Sequence, residues 1–222
     1  MVTVKDLGVV IDCDLSFRNH ISGIISKAKQ RIYLLFKSFS SKNISLMVFA
    51  YKVYVLPILE YGSVVWSPCR LGEIDRLEDV QRYYTKRLES LWSLSYEDRL
   101  KACSLKSLEL RRLWHDLILC FKIVYKLVSL SFSDFFEFDP NTRTRGHSLK
   151  LRIPLARSSR RHNFFACRVT PIWNALPCEL VTCNNLNCFK SGIRLVDLNL
   201  FLNREFDQSR QVTICRFSAT GY

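Results

Sequence analysis

Two stretches of this chain gather cations without a single carboxylate, and there its residue types could do chemistry. Residues 15–59 hold seven Lys and Arg and no acid; residues 140–178 hold eight and no acid. The remaining segments are nearly balanced, at −2 for 1–14, −1 for 60–139 and +1 for 179–222, so the two blocks exceed the whole net charge of +13. In the first block Lys27, Lys29, Arg31 and Lys37 lie opposite an apolar face, with Tyr33 among them. In the second, Arg143, Arg145, Lys150, Arg152, Arg157, Arg160, Arg161 and Arg168 are interleaved with His147, His162, Phe164 and Phe165. Cations so placed neutralise phosphates and hold a nucleic-acid backbone without reading its bases. Arginines beside aromatics also stack the bases of single strands. The plainer readings are a solvated helix face for the first block and a loose basic linker with two core phenylalanines for the second.

Other chemistries find less support. Cys178, Cys183 and Cys188 with His162 and Cys167 supply soft ligands, but no CxxC occurs and the spacing matches no zinc site, so thiols without a metal are expected. His20, His115, His147 and His162 stand near no nucleophile motif, and no phosphate-cradling glycine loop occurs. No catalytic residue and no cofactor are expected. Apolar helices at 73–91 and 107–128 offer either a partner surface or, more simply, a core.

These residues need elements to position them. With 222 residues, 48% hydrophobic, 7 Gly and 6 Pro, the chain can bury a sizeable core and is not low-complexity. The longest apolar run, Val53 to Leu59, is far short of the roughly 20 residues of a membrane span. Nine cysteines, an odd number, and no apolar leader suit a reducing compartment, so an intracellular protein, cytoplasmic or nuclear, with no membrane partner is expected.

Val2 to Ile11 reads as one strand with a bulge or close backbone approach at Gly8. Ile21, Ile24, Ile25, Ala28, Ile32, Leu35, Phe36 and Phe39 recur at helical spacing. Ser41 is the expected cap of a second helix from about Ile44. A third runs from Glu73 to Leu91. Ser95 and Asp98 resemble a capping box, and Ser107 starts a long helix through Val128. Ser148 to Ile153 reads as a short edge strand or extended arm. Asn163 to Leu176 reads as a helix interrupted near Pro171, and Leu186 to Leu202 as a last helix. The expected fold is mainly α: a helical bundle with a short N-terminal strand and a basic, partly extended C-terminal connector. The expected segments are 1–14, 15–139, 140–206 and a loose tail at 207–222, with the best boundary at Asp139-Pro140-Asn141.

Six motifs in order carry a resemblance. They are Lys5-Asp6-Leu7-Gly8-Val9 with Leu15-Ser16-Phe17 and His20-Ile21; Tyr54-Val55-Leu56-Pro57-Ile58-Leu59-Glu60-Tyr61-Gly62 leading to Trp66; and Ile74-Asp75-Arg76-Leu77-Glu78-Asp79-Val80-Gln81-Arg82. Leu94-Ser95-Tyr96-Glu97-Asp98-Arg99-Leu100 with Leu108-Glu109-Leu110-Arg111-Arg112, Arg143-Thr144-Arg145-Gly146-His147-Ser148-Leu149, and Ile172-Trp173-Asn174-Ala175-Leu176-Pro177 complete the set. Over about residues 5–195 the chain resembles the region after the palm in jockey-like non-LTR (LINE-type) retrotransposon reverse transcriptases, the thumb and the linker beyond it.

The resemblance implies a fold that holds RNA template and new DNA strand during target-primed reverse transcription. Its partners would be RNA, DNA or their hybrid, gripped through phosphates. Leu7 and Gly8 then resemble the primer grip. Such polymerases bind two Mg²⁺ ions through palm aspartates, including an Asp-Asp turn, and hard cations need converging carboxylates. No Asp-Asp pair occurs in this sequence, and Asp12 and Asp14 follow the Leu-Gly motif instead of preceding it. The expectation is a 5′-truncated, non-catalytic remnant without the Mg²⁺ ligands or the endonuclease domain. The alternative is an inert or protein-interacting helical domain with no nucleic-acid role.

Overall fold

A computed structural model describes residues 3–40, 43–140, 146–183 and 185–202. The fold is mainly helical with one short antiparallel sheet at the N-terminus, as the sequence predicts. The chain divides into two compact units, Met1–Arg112 and Leu113–Tyr222. The sequence-based boundary at Asp139-Pro140-Asn141 falls inside the second unit. The expected tail at 207–222 lies outside the described residues.

The first unit opens with a hairpin where the sequence suggests a single strand. β1 (Thr3–Asp6) pairs antiparallel with β2 (Val9–Asp12), Asp6 opposite Val9. Leu7 and Gly8 form the two-residue turn, both at positive φ, 42° and 87°. Positive φ at both central positions is what a tight hairpin turn requires, and glycine meets it without a Cβ penalty. Gly8 therefore marks a reversal of the chain, not a bulge. The Tyr61 hydroxyl donates to the Leu7 carbonyl at 3.0 Å and ties the turn down.

α1 (Arg18–Ser38) buries Ile21, Ile24, Ile25, Ala28, Ile32 and Leu35, the face its spacing predicts. Phe36 and Phe39 continue the same period but stay only half-buried. α2 (Ile44–Tyr54) is capped by Asn43, whose side chain accepts from the Leu46 amide at 3.1 Å. Ser41, the cap expected from sequence, lies outside the described residues. α3 (Leu56–Glu60) and α4 (Ser63–Trp66) turn at Gly62, φ 63°, and Trp66 is buried there with its indole N–H on the Tyr61 carbonyl at 2.8 Å.

α5 (Leu71–Lys86) packs Leu77, Val80 and Tyr84 into the same core as α1. The sequence extends this helix to Leu91; the structure ends it at Lys86. Successive three-residue turns then keep Leu88 and Leu91 inside, with the Leu91 amide on the Leu88 carbonyl. α6 (Tyr96–Ala102) begins as predicted, the Ser95 side chain accepting from the Asp98 amide and its hydroxyl donating to the Asp98 carboxylate.

α7 (Leu108–Val124) starts at Ser107, whose hydroxyl accepts from the Leu110 amide, and the unit boundary falls within it. It ends four residues before the expected Val128. Lys126 takes φ 53°, the Leu127 amide bonds the Lys122 carbonyl and the Lys126 amide bonds that of Ile123. That pair of bonds is the Schellman closure, here built on lysine instead of the usual glycine.

In the second unit, Phe121 of α7 stacks on Phe189 and on Tyr125, each at 4.4 Å between centroids. After α8 (Phe132–Phe135), Phe138 and Leu151 form an antiparallel bridge, so the 148–153 arm is extended and partly paired. α9 (Ser159–His162) precedes α10 (Phe165–Ala175). α10 runs through Pro171 uninterrupted, contrary to expectation. The proline faces solvent, while buried Val169 and Trp173 hold the helix on either side. α11 (Cys178–Val181) and α12 (Leu186–Gly192) follow. The single last helix expected to Leu202 instead stops at Gly192, and only a 3-10 turn, Asn199–Phe201, returns.

Candidate nucleic-acid interface

The helix that carries the first basic block is held by its apolar face, which leaves the rest of its surface to solvent. Lys27, Lys29, Arg31 and Lys37 are all exposed, and none pairs with a described carboxylate. At about 100° per residue, Lys27 and Arg31 fall in one i, i+4 row. Lys29, Tyr33 and Lys37 fall in a second row on the other side of the outward crest. The cations therefore line both flanks of the crest, which carries Gln30 and the exposed Leu34. Arg18 and Lys52, from the same acid-free block, are exposed as well. Lack of nearby acid was the signal that pointed to them.

The second block behaves differently. Arg143 and Arg145 lie outside the described residues. Arg168 is turned inward: its guanidinium makes two bonds of 2.8 Å to the buried Asp116 carboxylate and a third to the Asn163 carbonyl. Arg152 pairs with Glu137 at 3.0 Å, both exposed, and Lys150 is half-buried. Arg157, Arg160 and Arg161 remain exposed. Arg161 lies 4.9 Å from the centre of the Phe164 ring, which is 37% exposed, whereas Phe165 is buried. Phe164 is open to solvent in part and Phe165 is not.

Leu7, 83% exposed, tips the hairpin, and the turn backbone is reachable from solvent except where Tyr61 holds the Leu7 carbonyl. Asp12 and Asp14 do not fit a Mg²⁺ pair. Both oxygens of Asp12 are engaged, by the Ser16 hydroxyl at 2.7 Å and the Phe17 amide at 3.0 Å. Burial opposes its ionisation, but these donors outweigh it and hold the carboxyl below its usual range. Asp14 accepts from the Ser16 amide. Among the described residues, no three His, Cys, Asp or Glu side chains converge; Cys167 and Cys183 are buried, while Cys178 and Cys188 are exposed.

The charged residues of the sequence motifs mostly serve one another. Arg111 grips the Glu60 carboxylate with two nitrogens. Glu78, fully buried, accepts from the Leu108 amide at 2.9 Å and from the Tyr96 hydroxyl. Gln81 donates to Tyr96 and to the Lys106 carbonyl and accepts from Tyr51. Burial, followed by the Glu78 carboxylate, pushes the Tyr96 phenol far above its ordinary range, so it stays a donor. In the second unit His147 bonds the Trp173 carbonyl at 3.0 Å, Trp173 donates to Leu149, and Asn174 pairs both ways with the Leu151 backbone. Sequence reading identified these motifs without finding that they are partners.

The fold defines a mainly helical protein with an N-terminal hairpin. An uncharacterized protein of Caenorhabditis elegans is 34% identical to it over 113 residues, half of this chain. The chain spans 57% of that curated relative's length. No protein-family profile and no solved structure matches the chain.

Proposed function

We propose that this chain grips nucleic acid by its phosphates, as the thumb-like part of a jockey-like non-LTR reverse transcriptase, and has no polymerising centre of its own. One observation carries the reading: α1 spends its apolar face on the core and turns four uncompensated cations outward on both flanks of one crest. A crest flanked by cations suits a groove between two phosphate backbones, and the contacts are indifferent to sequence. From Lys27 to Lys37 the helix rises about 15 Å, the axial length of roughly four phosphates on one strand. The six motifs supply the resemblance to the family. Within the second unit, Arg157, Arg160 and Arg161 are exposed cations in their own right.

The test is fluorescence anisotropy of a labelled RNA–DNA hybrid across a salt series. If α1 alone neutralises four phosphates, affinity falls about 150-fold between 50 and 200 mM salt. Replacing Lys27, Lys29, Arg31 and Lys37 by Gln together reduces the log–log slope by about 3–4. A flat salt response in the parent, or an unchanged slope in the variant, refutes the proposal and leaves a helical domain without this ligand.

A further inference from the structure

Beyond the last turns of α1, the first unit leaves a cavity of ≈ 500 Å³ walled by Phe36, Phe39, Met47, Arg87, Glu89 and Trp92. Its volume is that of a small-ligand site. Its construction is peculiar in three respects.

Phe36 and Phe39 obey the apolar period of α1, yet they are half-buried because the cavity removes the neighbours that would cover them. Arg87 is exposed but oriented: its guanidinium stacks 4.4 Å from the Phe36 ring centre, lies 5.3 Å from that of Tyr83 and donates to the Tyr83 hydroxyl. Trp92 is 70% exposed on a loop that is otherwise fixed. Leu88 and Leu91 anchor that loop in the core, and Ser90 is held at φ 63°, a left-handed conformation that non-glycine residues rarely adopt.

We propose that this cavity takes one unpaired nucleobase of a single-stranded segment, stacked on Trp92, with its phosphate on Arg87. Charge favours this occupant over an apolar peptide or a lipid tail. Arg87 lines the cavity, its chain neighbour Lys86 is exposed, and exposed Lys37 follows Phe36 at the end of the Lys29–Tyr33–Lys37 row. The one acid of the lining, Glu89, is a pure acceptor and cannot face a phosphate. It suits an N–H donor on a base edge, the exocyclic amino group of adenine, cytosine or guanine or the ring N3–H of uracil and thymine. Planar aromatics and a stacked arginine are the groups that bind unpaired bases with little regard to sequence. The inference rests on the nucleic-acid reading of α1 and adds a single-strand site beside a duplex-holding helix.

The experiment follows Trp92 fluorescence while the full chain is titrated with a 12-mer of oligoadenylate. Trp66 and Trp173 are buried and Trp114 is half-buried, and the Trp92→Phe variant isolates the share of Trp92. Stacking quenches Trp92. Trp92→Ala weakens oligoadenylate about 5- to 150-fold, the range one base–aromatic stack carries, and Trp92→Phe restores most of the affinity. Affinity for a blunt, fully paired hybrid is unchanged in both variants. If the hybrid binds with a steep salt slope but oligoadenylate neither quenches Trp92 nor responds to Trp92→Ala, this inference falls and the grip by α1 stands. If neither nucleic acid binds, both fall. Quenching that grows with protein concentration alone assigns the cavity to a second copy of the chain and overturns the proposal.

Discussion

Glu78 sits in one of the six motifs that carry the resemblance, and the structure gives it a structural role. Its carboxylate is fully buried and accepts from the Leu108 amide, the Tyr96 hydroxyl and, at 3.4 Å, the Gln81 amide. Glu78→Ala strips Leu108 N–H and Tyr96 O–H of their acceptor, while Gln81 retains Tyr96 and Lys106. Two donors, one buried and one half-buried, left unpaired at about 1–3 kcal/mol each predict a loss of about 2–6 kcal/mol. A chain with roughly 5–15 kcal/mol in total would show this plainly, as a fall of about 10 °C in Tm. Glu78→Gln keeps an oxygen for Leu108 N–H and should lose only about 1–2 kcal/mol. Combining Glu78→Gln with Tyr96→Phe should give non-additive losses, because the two residues share one bond. Urea unfolding followed by tryptophan fluorescence reads these three variants and the single Tyr96→Phe, with a lowered midpoint and an unchanged slope. If Glu78→Ala stays within about 0.5 kcal/mol of the parent while hybrid binding disappears, the carboxylate serves a ligand and the structural assignment is refuted.

Two further outcomes follow from the geometry. Arg168→Gln breaks a two-point ion pair with buried Asp116, so stability should fall by about 2–4 kcal/mol while the salt slope of hybrid binding holds; a slope reduced by about one unit instead would put Arg168 on phosphate. His20 and His147 should make the fold weaken below about pH 6.5. Burial lowers both, with Lys27 adding for His20 and Lys150 for His147, and the His20 Nδ1 already accepts from the Val10 amide. Below the ordinary value of 6.5 the unfolded chain therefore binds more protons than the folded one. Stability, full above that pH, is lost on acidification by up to about 1.4 kcal/mol per histidine per pH unit. Equal unfolding free energies at about pH 7.5 and 5.5 would contradict this.

What the sequence made legible was local. The apolar face of α1, the Ser95 cap and the Ser107 start are written within a few residues of where they act. Positive φ escaped notice where it fell on Leu7 and Lys126, residues that do not advertise it, so a hairpin read as a strand and α7 read as too long. The ion pairs of Glu60 with Arg111 and Asp116 with Arg168 span 51 and 52 residues, and no local pattern reports them. For that reason Arg168 looked like part of a basic arm. Phe36 and Phe39 misled in the opposite sense: their spacing fits a core that the cavity beside Arg87 leaves open.

The bonds at the start of α7 also have a direction in time. Leu108 and Arg111 are met by Glu78 and Glu60, both of which precede them in the chain. A ribosome therefore releases the acceptors before the donors that need them. The first turn of α7 emerges onto carboxylates that α3 and α5 already carry. The same residues in a detached α7 would meet only water and the Ser107 hydroxyl. The helix owes its beginning to earlier parts of the chain, and N-to-C synthesis supplies those parts in the needed order.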